Sequence, residues 1–185
     1  MTHEIIMAGF GGQGIMLIGT LLTYAGMREG KAVSWLPSYG PEMRGGTANC
    51  AVCISDEEIA SPIVVEPTSA IIMNLPSFEK FHRSIVPGGC LILNSSLVNV
   101  ENIRGDISVY RVPANDAARE LGSERVANMV CLGALLGARD IVNIDTVVRV
   151  LPEVIHERHH HLLPINEKAL YRGFEMVSEK VGSGR

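Results

Sequence analysis

The sequence contains no block of Lys or Arg: 16 basic residues are scattered among 20 acidic ones, for a formal net charge of -4. A chain charged in this way offers no electrostatic footprint for nucleic acid or for an anionic membrane surface, and both partner classes are set aside. Long apolar runs are also missing. The longest, such as Met129 to Ala138, contain Gly and stop short of the roughly 20 residues that a spanning helix needs. Near the N-terminus, Ile5 to Ala8 is too brief for a secretory h-region, so a soluble, cytoplasmic protein is expected. Cysteine is sparse. Cys50, Cys53, Cys90 and Cys131 all sit among Val, Ala, Leu and Ile, where a reduced thiol serves as a small apolar core residue. Cys50 and Cys53 have redox-motif spacing, but they fall in a strand-like run, Thr47 to Ser55, in which residues three apart point to opposite faces.

What is present is a regular alternation. The 185 residues, 46% hydrophobic and 19% charged, suffice for one sizeable core and leave no length for a second full domain. Short apolar runs read as strands at Ile5 to Ala8, Ala32 to Leu36, Thr47 to Ser55, Ser69 to Leu75, Cys90 to Asn94 and Val109 to Val112. Helical stretches lie between and after them: Ile15 to about Arg28 with Gly30 just past its end, Pro76 to Ile85, Asp116 to Leu121 capped by Asn115, Val126 to Leu136, Ile144 to Ile155 and Asn166 to Val181. Asn143 and Asn166 stand where helix N-caps belong. Apolar strands interleaved with helices predict an α/β fold, a Rossmann-like doubly wound and largely parallel sheet in a single domain over residues 1–181. Residues 182–185, Gly-Ser-Gly-Arg, read as a disordered tail.

Two segments carry chemistry. The first is Gly9-Phe10-Gly11-Gly12-Gln13-Gly14, which has the G-x-G-x-x-G spacing between the first strand and the first helix. Glycines there permit a tight turn, let a phosphate approach the backbone and leave N–H groups at the positive end of a helix. An anion is expected on this turn. A nicotinamide dinucleotide site also wants an acidic residue at the tip of the second strand, yet that tip reads Leu36-Pro37-Ser38-Tyr39 and the nearest acid is Glu42. The lysine of a nucleoside-triphosphate loop is absent too. The second segment runs from Tyr39 through Glu42, Arg44, Gly45 and Gly46 to Asn49. Its paired glycines free the backbone directly after Arg44, whose planar guanidinium suits a phosphate or carboxylate; alternatively Glu42 and Arg44 decorate a solvated turn.

Together, Gly-Phe-Gly-Gly-Gln-Gly and Tyr-Gly-Pro-Glu-Met-Arg-Gly-Gly resemble the gamma subunit or gamma domain of 2-oxoacid:ferredoxin oxidoreductases. The likeness continues through Asn74 to Phe81, Pro87 to Gly89, Asn94 to Leu97, Pro113 to Ala118, Asn128-Met129 with Leu132 to Ala134, and Asn166 with Lys168-Ala169. It implies an enzyme that decarboxylates a 2-oxo acid on thiamine diphosphate, passes electrons through iron-sulfur clusters to ferredoxin and releases an acyl-CoA. The chain shows no iron-sulfur cysteine run and only a fragment of a thiamine diphosphate motif, Gly105-Asp106-Ile107, so thiamine diphosphate, Mg and the clusters are expected on alpha, beta and possibly delta subunits. For this chain the resemblance implies coenzyme A, bound by the backbone of Gly11, Gly12, Gln13 and Gly14, with a side-chain bond from Gln13 and with Gly9 serving the turn. The Tyr39 to Asn49 loop either closes over coenzyme A or docks on catalytic subunits. An indolepyruvate-type small subunit, an independent NAD(P)- or flavin-binding reductase and a scaffold subunit with an empty glycine turn are the rivals. His156, His159, His160 and His161 crowd one helix end, and are expected to be solvated or at an interface rather than to bind metal.

Overall fold

Unbroken apolar runs form the middle of the sheet. In the computed structural model, which describes residues 1–38 and 47–182, strands β1 (Thr2–Phe10), β4 (Ser69–Ile72) and β5 (Cys90–Asn94) lie side by side, and every residue of β4 and β5 is buried. Such strands need cover on both faces, which a parallel sheet with crossover connections supplies. With β2 (Ala32–Ser38), β3 (Thr47–Ser55) and β6 (Ser108–Val112), the sheet has the order β2-β3-β1-β4-β5-β6. Strands β1, β4, β5 and β6 pair in parallel, whereas β3 runs antiparallel to both β1 and β2.

The expected largely parallel, doubly wound sheet is therefore present, with one reversed strand inserted beside β1. This insertion follows from connection length. Eight residues separate Ser38 from Thr47, too few for the helical crossover that a parallel neighbour requires, so β3 returns alongside β2 as a hairpin partner.

Cover is unequal on the two faces. One carries α1 (Ile15–Arg28), α3 (Ala114–Glu120), α4 (Ala127–Ala138), α5 (Ile144–Val154) and α6 (Leu163–Gly182), packed into the larger core with Ile5, Met7, Ile71 and Ile92. The other is closed by α2 (Leu75–Phe81), a 3-10 turn at His82–Ser84 and the irregular segment around Val98 to Ile107, over Ile6, Ala8, Ile72 and Leu91. Helix α4 is apolar all round because it is buried all round. It meets α6 backbone to backbone: a methyl group on Gly133 would strike the Leu170 carbonyl, and one on Gly173 would strike that of Val130.

Caps follow the sequence in part. Asn74 accepts from the Ser77 amide at 2.9 Å at the start of α2, and Asn143 from the Asp145 amide at 2.8 Å at the start of α5. Gly30 ends α1 with φ of 73°. Asn115 does not cap α3. Its Oδ1 accepts instead from Asn94 Nδ2 at 2.8 Å, and Pro113 holds the cap position. Nor does Asn166 cap α6, which begins three residues earlier; its carboxamide donates to the Leu162 carbonyl at 2.7 Å. Of the expected tail, Gly182 ends α6 and residues 183–185 lie outside those described. No described helix is long and apolar enough to cross a membrane.

Candidate functional site

Strand β1 is the point at which the winding of the sheet reverses. From it the chain crosses over α1 to the β2 side, and the next parallel neighbour, β4, lies on the opposite flank. Crevices at the C-terminal ends of strands at such a reversal are where open α/β sheets receive ligands. Gly9 to Gly14 occupies this place.

The turn is built from its own residues. Gln13 Oε1 accepts from the Phe10 amide at 2.6 Å, and the Gln13 amide donates to the Phe10 carbonyl at 3.2 Å. Gly9 must lack a side chain, since a Cβ would sit 2.5 Å from Gln13 Oε1 and 3.1 Å from Met73 Cβ. Gly12 and Gly14 take φ of 92° and 73°, the left-handed region that glycine enters without strain. Gly14 is the N-cap of α1 and has no side-chain cap, and the first turn of α1 holds no acidic residue. Among the described residues, the amides of Gly11, Gly12, Gly14, Ile15, Met16 and Leu17 have no acceptor. The Gln13 amide and side-chain oxygen are thus engaged within the turn, while its Nε2 has no partner among the described residues.

Asn128 completes the turn from the far side of the sequence. Buried at the start of α4, it donates Nδ2 to the Gly14 carbonyl at 3.2 Å and accepts its neighbour Met129's amide on Oδ1 at 2.9 Å. Beside it opens a cleft of about 410 Å³ between α1, α4 and α6, lined among others by Leu17, Arg125, Asn128, His159 and Asn166. Sequence reading singled out neither Asn128 nor this cleft as a site. The available signal was a polar residue opening an otherwise apolar helix.

Asn49 stands in β3 between Ala8 of β1 and Ser38 of β2, half-buried and one step below the sheet edge. Tyr39, Glu42, Arg44, Gly45 and Gly46 lie outside the described residues. The segment containing them leaves β2 at Ser38 and rejoins β3 at Thr47, which pairs with Phe10. Both of its ends are thus tethered to the edge that carries the glycine turn. Along that edge large apolar side chains stay exposed: Phe10 at the end of β1 (41%), Leu75 after β4 (44%) and Leu97 after β5 (48%). Further polar groups sit beneath them. Asn94 donates to Asn115 and accepts from the Ala114 amide, while Asn74 Nδ2 and Ser77 Oγ are buried without partners among the described residues.

Elsewhere the chemistry is quiet. Burial pushes the thiols of Cys50 and Cys131 up to about 12 and that of Cys90 up to about 11, and all four cysteines are free and buried. The histidines lie in and beside a 3-10 segment, Glu157–Leu162, between α5 and α6. His160 Nε2 meets the carbonyls of Ile155 and Pro152, and His156 Nδ1 accepts from the Arg158 amide at 3.3 Å. Burial first, then the Arg158 charge, holds His159 below its usual range.

The model of the family described as pyruvate ferredoxin/flavodoxin oxidoreductase matches residues 4–176. Ketoisovalerate oxidoreductase subunit VorA of Methanothermobacter thermautotrophicus is 40% identical over 96% of this chain, which spans 37% of that relative's length. A keto/oxoacid ferredoxin oxidoreductase gamma subunit from Geobacter sulfurreducens superposes with a TM-score of 0.82 at 28% identity, covering 95% of this chain and 98% of that one. A 2-oxoglutarate:ferredoxin oxidoreductase from Magnetococcus marinus, solved with 2-oxoglutarate, coenzyme A and succinyl-CoA bound, superposes with a TM-score of 0.87 at 26% identity, over 96% of this chain and 31% of that one.

Proposed function

The chain belongs to the pyruvate ferredoxin/flavodoxin oxidoreductase family, and from that premise we propose that it is the gamma-type subunit of a 2-oxoacid:ferredoxin oxidoreductase and supplies the coenzyme A site. One observation carries the reading: α1 begins behind the glycine turn with its amides uncapped and no acid in its first turn, at the reversal between β1 and β4. A diphosphate is the ligand that such an array of N–H groups and the positive helix end stabilise. Coenzyme A carries one, and the structurally similar Magnetococcus marinus oxidoreductase was solved with coenzyme A bound.

A dinucleotide reductase finds less support. The strand beside β1 on that flank is β3, not β2, and its residues nearest the turn, Thr47, Ala48 and Asn49, offer no acid to a ribose. The redox machinery belongs on other polypeptides. Four buried, protonated thiols give no iron-sulfur ligand set, and among the described residues no group of His, Cys, Asp and Glu is placed to hold a metal ion. Thiamine diphosphate with its Mg ion and the iron-sulfur clusters are therefore assigned to alpha, beta and possibly delta partners, where they supply decarboxylation and electron transfer to ferredoxin. The exposed row of Phe10, Leu75 and Leu97 beside the glycine turn suits an interface with such a partner.

The test is a titration of the chain, and of the oxidoreductase purified with its partners, against coenzyme A, NADH and FAD. Coenzyme A is expected to bind in preference to both. Tighter binding of NADH or FAD overturns the assignment, as does a native preparation in which the chain is found alone.

A further inference from the structure

The end of the sheet opposite the glycine turn carries a cavity of its own. It has a volume of about 270 Å³ and opens where β1 and β4 begin, lined among others by His3, Ser69, Gly88 and Arg139. His3 lies seven positions before Phe10 on β1, so roughly 23 Å separates the two ends at about 3.3 Å per residue. Strand alternation brings the lining together. Ser69 pairs with Ile5 and with Cys90 across the sheet, and with His3 they fall on the side of the larger core, where Ile5, Met7, Ile71 and Ile92 lie. Arg139 directly follows α4, which packs on that same side.

Two groups in this lining lack what their chemistry calls for. Ser69 is 1% exposed, and its hydroxyl has no hydrogen-bond partner among the described residues. A buried hydroxyl in that state is destabilising until an acceptor reaches it. Arg139 is half-buried, and its guanidinium meets neutral atoms, the Gly88 carbonyl at 2.6 Å and the Cys90 thiol, with no carboxylate paired to it among the described residues. Lys31, by contrast, is matched by Asp56 at 2.8 Å, and the same carboxylate takes the amino terminus at 2.7 Å. Asp140, next to Arg139 in the chain, is exposed and acts on Lys31. Burial first, then the charges of Lys31, the amino terminus and Arg139, hold His3 below its usual range against the opposing pull of Asp56. The cavity thus joins an excess of positive charge to a fork of N–H donors and a free hydroxyl, a set that an oxyanion satisfies at once. Its volume falls below the roughly 300 Å³ at which cofactor-sized sites begin, so the ligand is compact.

We propose that this cavity binds a compact oxyanion, a phosphate or carboxylate group, received by the Arg139 guanidinium and the Ser69 hydroxyl with His3 at its side. The site shares no residue with the glycine turn and stands independently of the coenzyme A reading. Its occupant links the starts of β1 and β4 to the end of α4, so binding stabilises the folded chain. It also reverses the electrostatics at His3, because a negative charge beside the imidazole favours its protonated form.

The test follows the pKa of His3 by NMR in the full chain, its ring resonance identified by its loss in His3→Gln, during titration with inorganic phosphate and, separately, with succinate, each against chloride at equal ionic strength. Because His3 is remote from the glycine turn, an anion bound there does not register in this signal. One of the two anions is expected to raise the His3 pKa by about one unit; a response to phosphate identifies a tetrahedral ligand and a response to succinate a carboxylate. Arg139→Gln should weaken that anion by about tenfold or more, the worth of a charge-assisted bond. Ser69→Ala removes a hydroxyl that bonds to nothing, so in chloride its Tm should equal that of the native chain, while its affinity for the anion falls. No response of His3 to either anion overturns the proposal, as does a response that both variants leave unchanged.

Discussion

The side-chain amide of Asn128 donates to the carbonyl of Gly14, 114 residues away in sequence, and a methyl group on Gly14 would collide with that same amide. The contact locks the glycine turn to the start of α4 and couples the two positions energetically. Asn128→Ala alone should cost about 0.5–1.5 kcal/mol, one hydrogen bond's net worth, because Gly14's carbonyl keeps the Ile18 amide. Gly14→Ala adds left-handed strain of about 1–3 kcal/mol to the collision. In the double variant the strain and the lost hydrogen bond remain, but the collision is gone. Denaturant unfolding of the four proteins should therefore show a favourable coupling of about 0.5 kcal/mol or more, whereas strict additivity would mean the collision does not govern the turn.

The crossing of α4 and α6 predicts a sharp glycine dependence. Gly173→Ala raises helix propensity by about 1 kcal/mol, but its Cβ meets the Val130 carbonyl and would lie 2.9 Å from the Ala134 amide, backbone that cannot rotate away. Overpacking of this kind typically costs about 1–3 kcal/mol or more. A net fall in Tm of about 5 °C is expected by circular dichroism, against no loss for Gly105→Ala, where a methyl group meets open space. An unchanged Tm for Gly173→Ala would show that the two helices are not so closely apposed.

Local chemistry was legible in the sequence and long-range partnership was not. The glycine turn and its helix follow from a motif in its own strand-to-helix context, and Asn143 caps α5 as its position predicts. Asn115 looks equally apt as a cap, yet Asn94, 21 residues earlier, claims its side chain. Asn128 belongs to the site only because folding sets α4 against the turn. The reversed β3 had a readable cue, the short proline-containing connection after β2, but strand order depends on which edge the hairpin joins. Arg44, the foremost charged residue of the second motif, falls outside the described residues.

The thiols offer a test of the quiet core. A thiol whose folded value lies at about 11 or 12 is protonated throughout the range in which alkylating agents are used, and only the thiolate attacks. Burial also denies the reagent access. Native protein treated with iodoacetamide at about pH 8, near the ordinary thiol pKa, should gain no adducts by mass spectrometry. The same protein in denaturant should gain four, one for each cysteine in the sequence. Rapid native labelling of Cys50 together with Cys53 would revive a redox role for that pair.

Arg44 is the residue whose loss should separate function from folding. Its segment is tethered at Ser38 and Thr47, beside the turn proposed to hold the diphosphate. Removing a guanidinium from an anion or an acidic partner forfeits charge-assisted bonds worth about 1.5–3 kcal/mol, or roughly tenfold to a hundredfold in rate or affinity. Arg44→Ala should thus depress acyl-CoA formation by the purified complex to that extent while its circular dichroism spectrum is unchanged. Arg44→Lys should recover only part, since an ammonium keeps the charge without the planar fork. Which step fails tells the two roles of the loop apart. A raised KM for coenzyme A with partners still co-purifying marks closure over the ligand; loss of co-purification marks docking. Full turnover by Arg44→Ala would remove this residue from the mechanism altogether.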